Sequence, residues 1–337
     1  MSMARSPETR TRAGPSNHLV HRAILALVSA TLLAQEPPTI RTNAPLVLVP
    51  VTVTDRNGKS IDGLSVDDFQ VLDEGVRQNI RMDTSDTVLA PVALAVVIQS
   101  SGISEAELQR IRRVGGMIQP LVIGNRGQGA VIAYDTEIRV IENFTSDSTK
   151  IRTAFEKIDP RTIKSGRLID AIAEAVQMLE TRPEGYRRVM LVLGESRDRG
   201  SKMKLPQAIE LVQRAGVIMY MATYSAAAAP WITRPEDAPP LPGGPDNLGG
   251  IAELLRLGKT NAADAFARAT GGRHLSFLTM NALEETISRT GEEIHSQYLL
   301  SFVPASSKGG GFRRIEVNVP SRRDAIVRAR PGYWADK

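Results

Sequence analysis

Residues 92–104 read Val92-Ala93-Leu94-Ala95-Val96-Val97-Ile98-Gln99-Ser100-Ser101-Gly102-Ile103-Ser104. Residues 92–98 carry no charge and no alternation of polar and apolar side chains, which is typical of a parallel strand buried on both faces. Ligands of open α/β sheets bind beyond the carboxyl ends of the strands, so Gln99, Ser100 and Ser101 are predicted to lie at the ligand-binding edge. No carboxylate occurs between Ala90 and Ser104, and this segment therefore offers no acidic metal ligand.

Outward from this strand, buried strands alternate with amphipathic helices, which predicts a parallel sheet with right-handed crossovers. Strands are predicted at 129–134, 189–193 and 217–222, and helices at 148–158, 168–180, 205–215, 262–270 and 281–294. A further helix is predicted to begin after Ser104, with Ser104 and Glu107 as its capping box. Residues 137–141 alternate, so we predict that they return through Asp135-Thr136 as an antiparallel edge beside strand 129–134.

Both ends of the chain are predicted to be β-structure. Residues 46–59 are interpreted as a strand closed by an Asn57-Gly58 turn, and residues 68–80 as a hairpin with its turn at Glu74-Gly75. Further strands are predicted at 298–303, 312–319 and 325–329, with the glycine run after Lys308 as a hairpin tip between the first two. The simplest pairing of all these strands is one small β-sandwich built from both termini, with the α/β domain inserted in it.

The chain of 337 residues is long enough for about two domains. We predict a signal peptide at 1–34, a linker at 35–45, an N-terminal β segment at 46–90, an α/β domain at 91–295 and a C-terminal β segment at 296–334. Within the α/β domain, residues 225–260 are rich in Pro and Gly and are predicted to form a long surface loop at the ligand edge.

The first residues predict export. A basic leader at 1–22 precedes an uncharged apolar stretch at 23–34, the pattern of a secretory signal peptide. The stretch is shorter than the roughly 20 residues that a membrane helix needs, so no integral membrane span is predicted in the mature chain. The expected location is periplasmic, extracellular or at the cell surface. The alternative is a disordered leader without a targeting role.

Composition limits the partners. The net charge of +5 comes partly from arginines in the leader, and the remaining Lys and Arg are interspersed with acids, so we predict no nucleic-acid partner. The chain has no cysteine, which excludes disulfides and thiol chemistry. Gly124–Gly129 lies before a strand instead of between a strand and a helix, so it is interpreted as a turn and not as a dinucleotide-binding loop.

Blocks of sequence near both ends, in this order and spacing, resemble those of bacterial VWFA-related proteins, which carry a von Willebrand factor type A domain between characteristic flanks. The resemblance covers about 46 to 334 and rests on 51–58, Gly63-Leu64, 67–71, Asp73-Glu74-Gly75, Gln78, 270–273, 297–302, 312–317 and 328–333. It implies a Rossmann-like α/β fold, with a mostly parallel sheet, one antiparallel edge strand and helices on both faces. It also implies a metal-ion-dependent adhesion site, formed by Asp-x-Ser-x-Ser, a Thr and an Asp on three loops.

Residue by residue, this chain departs from that site. The first Asp falls on Gln99, the two serines on Ser101 and Ile103, the Thr on Gly166 and the last Asp on Glu195. Divalent cations such as Mg²⁺ need oxygen ligands with at least one carboxylate, so the site is predicted to be degenerate and to lack a cofactor. Asp198 can contribute if the loop register slips, and Asp170 is predicted to cap or brace the loop.

The preferred functional prediction is therefore an exported, non-catalytic module that binds a protein through Gln99, Ser100, Ser101 and Glu195. The first alternative is an adhesion module that uses Ser101 and Glu195 to hold Mg²⁺ or Mn²⁺. The second is a serine-dependent hydrolase with Ser100 or Ser101 as nucleophile, for which the candidate bases outside the leader are His274 and His295. Neither histidine is placed convincingly for that role, and both are predicted to be structural or surface residues.

Overall fold

The computed structural model describes residues 46–82, 90–101, 105–161, 165–224, 261–304 and 310–335, without the side chains of 105–107. The predicted signal peptide, linker, Pro/Gly-rich loop and Ser104–Glu107 capping box lie outside these described parts, as do Ile103 and Lys308.

The secondary structure follows the alternation predicted from the sequence. The strands are β1 (Val47–Thr54), β2 (Gln70–Asp73), β3 (Val76–Arg77), β4 (Ile80–Met82), β5 (Val92–Gln99), β6 (Gln128–Tyr134), β7 (Ile138–Thr145), β8 (Arg187–Gly194), β9 (Ile218–Tyr224), β10 (Arg273–Phe277), β11 (Tyr298–Phe302), β12 (Gly311–Asn318), β13 (Ile326–Ala329) and β14 (Gly332–Ala335). The α-helices are α1 (Glu105–Met117), α2 (Ser148–Glu156), α3 (Leu168–Glu180), α4 (Leu205–Arg214), α5 (Ala262–Thr270) and α6 (Met280–Ser296). A 3₁₀ helix (Val66–Asp68) and a π-helix (Ile118–Ile123) are also present. Among the residues with assigned structure, no helix has both the length and the apolar character to cross a membrane.

A six-stranded sheet forms the centre of the α/β part, in the order β10-β9-β8-β5-β6-β7. All neighbours are parallel except β6 and β7, so the predicted antiparallel edge strand is confirmed. Alternate residues of β5 enter two separate apolar clusters, one that includes α1, α2 and α6 and one that includes α3, α4 and α5. Burial on both faces explains why β5 shows no alternation of polar and apolar residues.

Strands from both ends of the described chain form two further four-stranded sheets, in the orders β13-β1-β11-β4 and β14-β12-β2-β3. The two sheets share one apolar cluster that contains Val49 of β1, Phe69, Leu300 of β11 and Ile315 of β12. This arrangement agrees with the predicted β-sandwich built from both termini. The last strand, β14, was not predicted from the sequence.

One predicted hairpin is wrong. Strand β11 pairs with β1 and β4, whereas β12 pairs with β14 and β2, so the chain between them passes from one sheet to the other. The predicted turn at Glu74-Gly75 is confirmed, and both residues have positive φ angles, of 50° and 78°. The turn at Asn57-Gly58 is also present, but the returning chain pairs with β1 through a single bridge between Thr54 and Ser60.

Substitutions at Gly115 and Gly116, near the end of α1, test how this helix packs on α2. Gly116→Ala is expected to raise the free energy of unfolding by about 0.5–1 kcal/mol, because alanine is the better helix former and an added Cβ would meet only Arg152, at 4.0 Å. Gly115→Ala is expected to lower it, since its Cβ would lie 2.8 Å from the Phe155 ring. Urea denaturation measures both, and similar changes in the two variants would contradict this packing.

Candidate functional site

The carboxyl ends of β5 and β8 meet at one edge of the central sheet, because the two strands are parallel neighbours. Gln99 ends β5, and Glu195 directly follows β8. The backbone of Gly166 bonds to that of Arg199 in the loop after β8, in both directions at 3.0–3.1 Å. A Cβ on Gly166 would lie 3.1 Å from Ser101 Oγ and 3.5 Å from Gln99 Nε2. The structure thus brings together Gln99, Ser101, Gly166 and Glu195.

The side-chain amide of Gln99 occupies the centre of this edge. Its Oε1 accepts hydrogen bonds from the Glu195 backbone N–H at 2.7 Å and from the Tyr134 hydroxyl at 3.2 Å. Its Nε2 donates to the Ser101 carbonyl at 2.9 Å and lies 3.4 Å from Ser101 Oγ. A backbone N–H can only donate, so the bond from Glu195 fixes which way the amide points. With 5% of its surface exposed, Gln99 joins β5, β6 and the loop after β8.

Tyr134 and Gly194 complete the arrangement, and the sequence analysis did not single them out. Burial raises the pKa of Tyr134 well above its ordinary value, with smaller contributions from Tyr224 and Glu195, so the phenol remains a neutral donor. A Cβ on Gly194 would lie 2.7 Å from Tyr134 Oη and 2.9 Å from Gln99 Oε1. Tyr134 is the last residue of β6 and pairs with Gln99, the last residue of β5, in the parallel register of the two strands. Its position at the end of a predicted strand is the feature of the sequence that could have identified it.

Ser100 belongs to a separate buried cluster on the other side of β5. Its hydroxyl donates to Asp135 Oδ2 at 3.0 Å, and Arg139 contacts both groups, at 2.6 Å to Asp135 and 3.0 Å to Ser100. Burial alone raises the pKa of Asp135, but hydrogen bonds from Arg139, the Glu137 N–H and Ser100 bring it below its ordinary value. Ser100 and Ser101 have no exposed surface, so among the predicted partner-binding residues Glu195 is the accessible one.

Asp170 braces the loop after β8, as predicted. Its carboxylate accepts the backbone N–H groups of Lys202 and Met203, both at 2.9 Å, and pairs with Arg167 at 2.6 Å. Asp198 accepts the Ile169 N–H at 3.1 Å, which caps the start of α3 from across the site. The Asp198 carboxylate therefore has a structural role in this conformation.

The groups at this edge that could act as metal ligands do not fit a divalent cation of the type that the resemblance implies. Gln99 Oε1 already accepts two hydrogen bonds, Gly166 has no side chain, and the Glu195 carboxylate lies 3.5 Å from the Arg199 guanidinium. Mg²⁺ requires several oxygen ligands in near-octahedral geometry. Across the described parts of the chain, no three His, Asp or Glu side chains are grouped closely enough to hold a metal ion.

The two histidines have local partners of their own. His274 Nε2 lies 2.8 Å from Thr223 Oγ1, and burial lowers the pKa of His274. Burial also lowers the pKa of His295, near the end of α6. The hydroxyl of Ser100 bonds to Asp135, Arg139 and the Tyr134 carbonyl, and that of Ser101 faces Gln99. These contacts do not form the serine–histidine pair that a nucleophilic hydrolase needs.

No protein-family model and no curated protein matches this chain. Among solved structures, the chain is similar to the conserved hypothetical protein BatB from Bacteroides thetaiotaomicron, with 16% identity over 60% of this chain and 98% of that chain, and a TM-score of 0.43. It is also similar to a von Willebrand factor type A protein from Catenulispora acidiphila, with 10% identity over 88% of this chain and 65% of that chain, and a TM-score of 0.47. A third is proximal thread matrix protein 1 from the mussel byssus, described with a zinc-occupied MIDAS motif, with 13% identity over 65% of this chain and 49% of that chain, and a TM-score of 0.46.

These likenesses concern the fold alone. The mostly parallel sheet, the single antiparallel edge and the helices on both faces are those that the resemblance implied. The α/β part therefore has the fold that the resemblance to the von Willebrand factor type A domain implied, and strands from both flanks form a β-sandwich.

Proposed function

We propose that this chain is an exported, non-catalytic module that binds a protein partner and that its binding edge works without a metal ion. The observation that carries the proposal is the Gln99 amide. It stands where the resemblance places the first metal-binding Asp, and its oxygen is used by the Glu195 N–H and the Tyr134 hydroxyl. The edge is held together by internal hydrogen bonds, which a cation would have to break.

The partner contacts the exposed side chains around Gln99. Glu195 and Arg199 form an ion pair whose side chains are 28% and 52% exposed, and the half-exposed Arg161 forms a backbone bridge with Ser101. Such a half-exposed pair is worth little to folding, so its charges remain available to a partner. Gln99 and Ser101 lie beneath this surface and support it. Binding in this mode depends on shape and charge complementarity, not on a metal bridge.

Calorimetric titration of the exported chain with Mg²⁺ and then Mn²⁺ tests the absence of a metal. We expect no saturable heat at millimolar cation, because the available donors are one hydroxyl and one paired carboxylate. Glu195→Gln is the matched variant, and it should give the same flat titration. A saturable heat that disappears in Glu195→Gln would instead establish the metal-dependent alternative.

Partner retention by the wild-type chain and by charge-reversal variants tests the proposed binding surface. We expect the wild-type chain to retain a partner from the periplasmic or extracellular fraction equally well in EDTA and in Mg²⁺, and the charge reversal Arg199→Glu to retain at least tenfold less. Arg289→Glu changes an exposed helical arginine elsewhere and serves as control. Loss of the partner in EDTA, or equal loss in both variants, would contradict the proposal. Mass spectrometry of the exported chain tests whether the predicted signal peptide at 1–34 is removed.

A further inference from the structure

A cavity of about 900 Å³ lies at the opposite edge of the central sheet from Gln99. The α/β side of its wall comes from the starts of three parallel strands and includes Pro91, Arg187 and Val217. The β-sandwich contributes Leu48 of β1 and Leu299 of β11. The cavity therefore sits where the two parts of the fold meet, and its volume is in the usual range for small-molecule sites.

The first half of strand β1 is apolar on both faces, and one of these faces lines the cavity. Val47, Val49 and Val51 point into the sandwich core, whereas the alternate residues Leu46, Leu48 and Pro50 line the cavity wall. Leu46 is 57% exposed and Leu48 is 47% exposed. An antiparallel strand with one face in water normally carries polar residues on that face. The leucines indicate that this face meets an apolar group.

The same wall carries four arginines, Arg126, Arg187, Arg188 and Arg330, against one acid, Glu184. None of the ion pairs within the described residues involves these arginines. Arg187 bonds to the Ile294 carbonyl and Arg330 to the Gln213 carbonyl, while the buried Nε of each has no hydrogen-bond partner among the described residues. Both side chains are partly buried, and the buried N–H groups of proteins are nearly always hydrogen-bonded.

We propose that this cavity is a binding site for an aliphatic carboxylate. The carboxylate accepts hydrogen bonds from Arg187 and Arg330, and the aliphatic body packs against Leu46, Leu48 and Pro50. Charge-assisted bonds from guanidinium to carboxylate are the strong kind, and a bound carboxylate also offsets the charge of the two guanidinium groups. The site is separate from the Gln99 edge and does not depend on the proposed function of that edge.

The electrostatics of the empty pocket favour an anion. Burial lowers the pKa of Arg187, and it lowers the pKa of Arg330 to about 10. The positive charge on these side chains is therefore partly desolvated, and no carboxylate among the described residues forms an ion pair with either of them. A bound anion would supply that charge in a low-dielectric setting, where the attraction is larger than in water.

Isothermal titration of the full chain with dodecanoate, below its micelle-forming concentration, tests the site. We expect one molecule to bind per chain. Leu48→Glu places a carboxylate in the cavity at a half-exposed position and should weaken binding at least tenfold, as should Arg330→Met. The matched controls are Leu278→Glu, at a partly exposed leucine outside the cavity, and Arg289→Met, and both should bind as wild type.

Thermal unfolding distinguishes loss of the site from loss of the fold, and Leu48→Glu keeps the test valid if Arg330→Met is unstable. Absence of a saturable heat, equal binding of dodecyltrimethylammonium, or wild-type affinity in Leu48→Glu would overturn the proposal. A second titration distinguishes the two natural sources of an aliphatic carboxylate, a lipid-derived acid and a peptide C-terminus. It uses the dipeptide N-acetyl-Leu-Leu with a free carboxyl group, and the amidated dipeptide as its control. If the free form binds more tightly than dodecanoate, the natural ligand is a peptide terminus, and in the reverse case it is a lipid-derived acid.

Discussion

Replacement of Asp73 by alanine is expected to lower the free energy of unfolding by about 3–5 kcal/mol, the range for breaking a buried ion pair. The Asp73 side chain is fully buried and accepts hydrogen bonds from Arg313 Nε at 3.1 Å and Nη2 at 2.8 Å. The Tyr333 hydroxyl donates to the same carboxylate at 3.2 Å. Burial raises the pKa of Tyr333 to about 12, so the phenol stays protonated.

The loss is large because the carboxylate joins three strands of one sheet. Asp73 ends β2, Arg313 lies in β12 and Tyr333 lies in β14. The substitution leaves the Arg313 guanidinium and the Tyr333 hydroxyl without their acceptor. Chemical denaturation at neutral pH measures the change. The control is Glu285→Ala, which removes an exposed pair with Arg289 and should cost less than about 1 kcal/mol. Equal losses in the two variants would show that the Asp73 cluster does not hold the sandwich together.

This cluster also shows where prediction from the sequence stops. The alternation of residues 46–59 and the turn at Glu74-Gly75 predict strands, because period-two patterns and turn residues act locally. The pairing of Asp73 with Arg313 spans 240 residues of sequence, and no local pattern encodes it. The missed strand β14 has the same cause, since it forms by pairing with β12. The hairpin predicted between β11 and β12 is wrong because strands that are neighbours in sequence can belong to different sheets, as these two do.

At the Gln99 edge, the topology was predictable and the chemistry was not. Buried parallel strands place their carboxyl ends at one edge, so the proximity of Gln99 and Glu195 follows from the strand pattern. The sequence also shows that Gln99 and Gly166 stand where the resemblance implies a metal-binding Asp and Thr. The replacement of those ligands by a hydrogen-bond network depends on Tyr134 and on the close approach at Gly194, which only the three-dimensional register of β5, β6 and β8 reveals.

Gln99→Met is expected to lower the free energy of unfolding by about 2–4 kcal/mol, although methionine has a similar shape. The substitution leaves the Glu195 N–H, the Tyr134 hydroxyl and the Ser101 carbonyl without their bonds to the amide. Each unpaired buried group costs about 1–3 kcal/mol, and the loop after β8 can recover part of that by opening to water. Hydrogen exchange should therefore be fastest relative to wild type at the amide of Glu195.

Gln207→Met is the control for the size of this effect. Gln207 is exposed at the start of α4, where its Oε1 accepts the Lys204 N–H at 3.2 Å, so its replacement should cost less than about 1 kcal/mol. If Gln99→Met cost no more than Gln207→Met, or left the exchange of the Glu195 amide unchanged, the amide would not be what closes the edge. A large loss with faster exchange at Glu195 would mean that Gln99 performs structurally the task that a bound cation would otherwise perform, tying the loop after β8 to the end of β5.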